Sequence, residues 1–370
     1  MMRDLRVQFG LLLVGMTALS GAAIAASNAD GAVIRNGTIG YVLTDYHWAV
    51  YQTQDSKAEC PTGMNDGPRE QFKILFPDDG KKRTLLETQL ARESAVWHPD
   101  VSPEPYPFKE ATGKYAVGLN LDGKVGPNDF SSPDGAVKGI DNQLYRAIGC
   151  ITAYRGPDGA VHYFGNKFAQ QYHYDRVLLE LTNVDSLTND SDVTVTTYRG
   201  LDGLLTDATG NGFMPGGTER ADHRWGKQFI TRFKGKIVDG VLTADGSDVH
   251  MPASSTFEDV SVQWIRDARF QLKLNQDGAE GVVAGYVDVE TFYRQLVQAW
   301  STHHQSYGQL SSPSLYKALR KLADAYPDQQ GHNTAISGAM DMKFVQVFIQ
   351  HPPAETAAKD AETPARAARH

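Results

Sequence analysis

The sequence predicts a mainly β protein: an antiparallel sandwich or barrel-like sheet with a few peripheral helices, with an α+β arrangement as the alternative. Three observations carry this prediction. Segments rich in β-branched and aromatic residues alternate in polarity, most cleanly over Ala268–Leu274. The chain holds 35 Gly and 17 Pro, enough to punctuate it into short pieces. Asp outnumbers Glu by 31 to 13, and Asp favours caps and turns where Glu favours helix interiors.

The 370-residue chain opens with a secretory-signal pattern at 1–25. Arg3 and Arg6 precede the apolar run Phe9–Leu19, and small residues follow, ending in Ala23-Ile24-Ala25. Cleavage after Ala25 would leave about 345 residues and a periplasmic or secreted protein; a retained N-terminal anchor is the alternative. No Cys follows the apolar run, so a lipoprotein anchor is not expected, and no later stretch reaches transmembrane length. Cys60 and Cys150 are the two cysteines. In an exported chain an even count reads as one disulfide, and at this separation it would contribute roughly 4–5 kcal/mol by the loop-entropy model. Two free thiols are the other possibility. The net charge of −8 has the wrong sign for a nucleic-acid binder.

Residues 26–112 read as a mixed N-terminal region. Gly40–Tyr51 suits a strand, Thr84-Leu85-Leu86-Glu87 has the form of a capping box, and Trp97–Phe108, with four prolines, suits an extended connector. Residues 113–150 are rich in Gly and Asp and end in a short helix within Gly139–Cys150, with Leu144, Ala147 and Ile148 on one face. Residues 151–305 read as a β-rich domain ending in a helix, mainly strand from Val161 onward. Its segments are Val177–Leu181, Val193–Tyr198, Phe229–Val238, a hairpin turn at Asp239-Gly240, Ala268–Leu274 and Gly281–Asp288. Asp288 would cap the helix carrying Phe292, Leu296, Ala299 and Trp300. Residues 306–353 would add a helix opened by Ser312-Pro313, with Leu315, Leu319, Leu322 and Tyr326 on one face, and a strand at Lys343–Ile349. Residues 354–370 read as a disordered tail.

The most specific stretch is Gly118–Phe130, GLNLDGKVGPNDF. It resembles the calcium loop of dockerin and EF-hand modules, whose oxygen ligands recur at fixed positions around a Gly at position 6. With Gly123 at that position, the resemblance implies ligands from Asn120, Asp122, the backbone carbonyl of Lys124, and Asp129. Asp134 and Asp141 stand close enough in sequence to supply missing oxygens. Position 1 is Gly118, position 9 is Gly126, and Pro133 stands where an EF-hand's exiting helix would run, so the likeness covers about 13 residues and not a whole module. The same residues also suit an acidic surface loop made of Asx-turns. Gly139-Ile140-Asp141-Asn142, followed by a β-rich region, is similar to secreted bacterial proteins of unknown function, a likeness that transfers no activity.

Other constellations are plainer. Ser314-Leu315-Tyr316-Lys317 matches Ser-x-x-Lys without its companion motifs and reads as a helix start. His303-His304 cannot chelate one metal as neighbours on a helix or strand. His47, His98, His173 and His223 sit beside aromatics that could line a pocket, including a sugar-stacking one. The patches Asp185–Asp192 and Asp202–Asn211 read as turn chemistry. Glu180, Glu258 and Glu290 lie near expected strands with no role assigned. The expectation is an exported, calcium-stabilised protein with a non-enzymatic binding or envelope-structural role and a glycan or envelope-protein partner. A secreted hydrolase or lyase acting on glycans or lipids is the alternative.

Overall fold

The computed structural model describes residues 33–50, 64, 78–81, 97–102, 108–155, 159–171, 175–252, 262–295 and 312–353. The signal-peptide stretch 1–25, Cys60, the capping box at Thr84, His303-His304 and the tail 354–370 lie outside the described residues.

The strands, in chain order, are β1 (Thr38–Trp48), β2 (Phe130–Ser131), β3 (Lys138–Ile140), β4 (Val177–Thr182), β5 (Asp190–Arg199) and β6 (Gly217–Arg220). They continue with β7 (Thr231–Val238), β8 (Val241–Pro252), β9 (Val262–Leu274), β10 (Gly278–Asp288), β11 (Ala325–Pro327) and β12 (Asn333–Gln350). Among the described residues they are accompanied by α1 (Gln143–Ile148), α2 (Ala160–Gln171) and α3 (Ser312–Leu322). Residues 289–295 are helical too, with Asp288 Oδ1 accepting from Thr291 N at 2.9 Å as the expected cap, while Leu296, Ala299 and Trp300 lie outside the described residues. Eight strands pair antiparallel in the order β1-β4-β5-β7-β8-β9-β10-β12, and β12 returns to β1, so the sheet closes into a barrel. The long strand β12 makes the closure, pairing β10 over Ala335–Val345 and β1 over Met340–Val347. Its two ends carry additions: β11 antiparallel at Asn333–Ala335 and β6 parallel at Val347–Gln350. Closure removes the unpaired edges that would otherwise invite association.

Alternation explains the interior. Tyr41 and Leu43 of β1, Leu179 and Leu181 of β4, Val193 and Val195 of β5, Phe233 and Ile237 of β7, Phe270 and Leu272 of β9, and Met340, Met342 and Phe344 of β12 share one buried apolar cluster. Leu144 and Ile148 of α1 and Leu315 and Leu319 of α3 join it. They lie by the ends of β1 and β10 and the start of β12, where Trp48, Val287 and Ile336 belong to the same cluster, and so close one mouth of the barrel. The Asp239-Gly240 hairpin is as expected, with φ of 50° and 77°, the paired positive values of a type I′ turn.

Three expectations fail locally. Residues 160–171 are helix α2, not strand. Its inward positions are His162, Gly165, Asn166 and Ala169, a helical spacing written in polar and small residues, which hydrophobic periodicity does not detect. The helix covers a gap: β4 pairs β1 only as far as Val42, and beyond it Asn166 Oδ1 accepts from Tyr46 N at 2.9 Å while Gln170 Nε2 donates to Thr44 O at 2.9 Å. The second correction is Tyr326, which lies not on α3 but in β11 with φ of 56°. The Pro-rich stretch also departs from an extended form over 97–102, where Ser102 N bonds back to His98 O at 3.1 Å.

Candidate functional site

The loop between Gly118 and Asp141 packs on the outer barrel wall, where Leu121 is buried with Ala49, Ala284 and Ala339. Within it, Asn120, Asp122, Asp129 and Asp134 fold onto nearby backbone. Asn120 Oδ1 accepts from Gly123 N at 2.7 Å, and its Nδ2 donates to Lys124 O at 2.7 Å. Asp122 Oδ1 accepts from Lys124 N at 2.8 Å, with the Lys124 ammonium 3.8 Å from Oδ2. Asp129 Oδ2 accepts from Gly126 N. Asp134 accepts from Ser132 Oγ and Ala136 N, which holds its carboxyl below the usual carboxylate range. Asp141 crosses the loop instead, its Oδ2 accepting from Leu121 N at 2.6 Å and Asp122 N at 3.3 Å. Gly123 has φ of 74°, the left-handed turn expected at position 6.

Three of the six expected metal residues, Asp122, Asp129 and Asp141, line one cleft of about 750 Å³. Asn120, Lys124 and Asp134 do not line it. The Lys124 carbonyl, which the EF-hand likeness would use, is engaged by Asn120, and Gly118 offers no side-chain oxygen. Among the described residues no group of three or more His, Cys, Asp or Glu side chains is gathered as metal ligands.

The other walls come from distant parts of the chain. Glu110, Tyr286, Lys321 and Asp324 line the same cleft, with Gln143 and Arg146 of α1. Asn142 fixes that helix, accepting from Tyr145 N at its N-terminus and donating to Val117 O at 2.9 Å and Ala49 O at 3.2 Å. Arg146 donates to Ala111 O and Asn128 O and lies 4.1 Å over the Phe130 ring. Lys321 pairs with Glu110. Asp324 binds the start of β12 to the helix through Ser337, whose N donates to Oδ1 at 2.7 Å and whose Oγ donates to Oδ2 at 2.6 Å while accepting from Gln143 N at 3.0 Å. The cleft thus holds five carboxylates against two cations.

That charge balance acts on its members. Desolvation pushes the Asp324 carboxyl up to about 6, helped by the nearby Asp141 charge, although its residue surface is open to the cleft. Asp141 is also raised, first by burial and then by Asp129 and Asp122, against the pull of its two backbone donors. Tyr286 is raised to about 12 by burial and by the Asp141 and Asp324 charges. The sequence reading missed Asp324, Glu110 and Tyr286, since nothing local marks them and only barrel closure brings them to the loop.

The remaining constellations resolve simply. Lys317 donates to Ser102 O at 3.1 Å, and Ser314 is fully buried, so the Ser-x-x-Lys pattern is a packed helix start. His47 lies on the outer wall with Nε2 3.2 Å from Asp341, and hydrogen bonds to Asp341 and Asp45 raise it to about 9. In the patch at 185–192, Asp190 accepts from Asp185 N and Asp192 N. Asp207 makes a turn with Thr209. Cys150 is fully buried and is not a free thiol. No described helix is long and apolar enough to cross a membrane. Searches of family models, curated proteins and solved structures give no match to this chain.

Proposed function

We propose that the protein is exported and has a non-enzymatic binding role, with the acidic cleft as its site, calcium as its cation and an envelope glycan as its partner. The observation behind this reading is the convergence of Asp122, Asp129, Asp141 and Asp324 on one open cleft. Hard cations favour such oxygen donors, and calcium tolerates irregular sets of 6–8. Oδ1 of Asp129 and Oδ1 of Asp141 take no part in the hydrogen bonds that hold the loop. A full shell would need Asn120 to release the Lys124 carbonyl, or solvent and ligand hydroxyls to complete it. The second option links calcium to a polyhydroxyl partner. The signal pattern at 1–25 and a Cys60–Cys150 disulfide belong to the same reading, since both suit an oxidising compartment. Glycan-array binding with calcium and with EGTA tests it: calcium-dependent retention that Asp141→Asn abolishes is expected, and equal retention under both conditions would reject it. Thiol titration of the denatured, unreduced protein should find no free thiol.

One observation favours a second reading, hydrolysis of a glycan or lipid. Asp324 and Asp141 are two carboxyls raised in one cleft, an arrangement suited to acid–base work. In that case a hydrolase panel would show turnover without calcium, and Asp324→Asn would remove it.

A further inference from the structure

A second pocket, of about 390 Å³, opens at the far end of β12 between residues 220–224 and 350–353. Its chemistry is the reverse of the cleft's: Arg220, His223, Arg224 and His351 line it against one carboxylate, Asp222. Glu180 holds His351 in place. It is buried on the outward side of β4, its Oε1 lies 2.8 Å from His351 Nε2, and its Oε2 accepts from Tyr198 Oη at 3.2 Å. An ionised carboxylate only accepts, so Nε2 carries the proton and Nδ1 is the nitrogen left for a ligand. The Tyr198 and His223 rings pack edge-on to His351 at 5.0 and 5.8 Å, while 37% of the His351 side chain stays exposed.

The arginines are oriented in the same manner. Arg220 engages Asp202 through Nε and Nη2, leaving Nη1 outside that fork. Arg224 engages Asp222 through Nε and Nη2. Asp222 also faces a buried charge behind the pocket, Arg199. Among the described residues none accepts a hydrogen bond from the three Arg199 side-chain nitrogens, and its guanidinium lies 4.0 Å over Trp225 and 5.0 Å over Phe229. Arg199 is attracted first by Asp175 and then by Asp222. The basic character of the pocket therefore rests on its lining, where Arg220, His223, Arg224 and His351 stand beside the single lining carboxylate Asp222, with Asp202 and Glu180 behind.

We propose that this pocket binds a phosphate group, free or on a lipid headgroup, with Arg220 and His351 as its main contacts and Glu180 and Asp202 as positioning residues. Donors on two separate chain segments suit an acceptor with several oxygens better than a planar carboxylate. His351 Nδ1 donates to the anion when the ring is charged and accepts from a protonated phosphate oxygen when it is neutral. The test titrates the full exported chain with inorganic phosphate by calorimetry, and sediments it with vesicles of phosphatidylglycerol and of phosphatidylcholine. Saturable binding is expected to phosphate or, if the headgroup is the source, to phosphatidylglycerol alone. Arg220→Gln and His351→Gln should each weaken it about tenfold or more. Arg220 is mostly exposed, so its variant should keep the fold, and Lys236→Gln, which removes an exposed cation that lines neither pocket, should bind as the wild type does. The proposal is overturned if neither probe binds, or if both variants bind as tightly as the wild type.

Discussion

At the start of β12, Ser337 meets Asp324 beside a loop whose side chains fold back on residues two to four positions away. At its end, His351 meets Glu180 across 171 positions of sequence. The first site is largely local chemistry, Asx-turns and one crossing carboxylate, set against a barrel wall. The second is assembled from distant segments: Arg220–Arg224 at the end of β6 and Gln350–Pro353 at the end of β12 line it, and Glu180 of β4 and Tyr198 of β5 hold His351 from behind. Local chemistry leaves a trace in sequence that can be read by spacing; chemistry assembled by closure leaves none. The two sites also carry opposite charge on one sheet, so neither can be inferred from the net charge of −8.

The sharpest way to break this comparison is to remove the one carboxylate that ties the local loop across itself. Asp141→Ala strands Leu121 N and Asp122 N beside the barrel wall and should cost about 3 kcal/mol, read as a fall in melting temperature. An unchanged melting curve would mean that the loop holds itself. Glu180→Ala is the matching cut at the other end. It leaves the Tyr198 hydroxyl and His351 without their carboxylate and should cost about 2 kcal/mol, while the cleft keeps its shape. If both sites lose their ligands together, they are not independent.

A pH scan sharpens the contrast at smaller amplitude. Asp324 is raised to about 6, above its unfolded value, so the native state holds more protons between roughly pH 4 and 6. Its contribution is fully present at low pH and is lost as pH rises through 6. The loss should be about 1 kcal/mol once solvent in the cleft is allowed for, and Asp324→Asn should flatten it. A slope of opposite sign would show that the Ser337 bonds outweigh burial. The smallest effect belongs to Lys124→Ala, whose ammonium is exposed and whose backbone carbonyl is unaltered; stability and calcium response should stay within about 0.5 kcal/mol of the wild type.

The same division explains what the sequence disclosed. Alternation in Ala268–Leu274, the Asp239-Gly240 turn, the short helix within Gly139–Cys150 and the Ser312-Pro313 helix start are short-range features, and each stands where the sequence places it. Helix α2 escapes the apolar pattern because His162, Gly165 and Asn166 make its inward face: Asn166 bonds to Tyr46 N and Asp45 of β1, and His162 packs on the His47 and Tyr154 rings. At the cleft, Asp122, Asp129 and Asp141 were legible because turn residues cluster in sequence. Asp324 and Glu110 were not, since each reaches the cleft only through the packing of α3 and β12 against the loop. Glu180 drew notice as one of few glutamates near a strand, but its partner lies on another strand's end.

The measurement that tests the central claim most directly is thermal unfolding of the protein with calcium and with EGTA, paired with calorimetric titration of calcium. Binding in the acidic cleft predicts a measurable heat and a stabilisation of about 2.7 kcal/mol at a hundredfold excess over the dissociation constant, both removed by Asp141→Asn. Superimposable melting curves with no heat of binding would contradict it and leave the loop as an arrangement of turns.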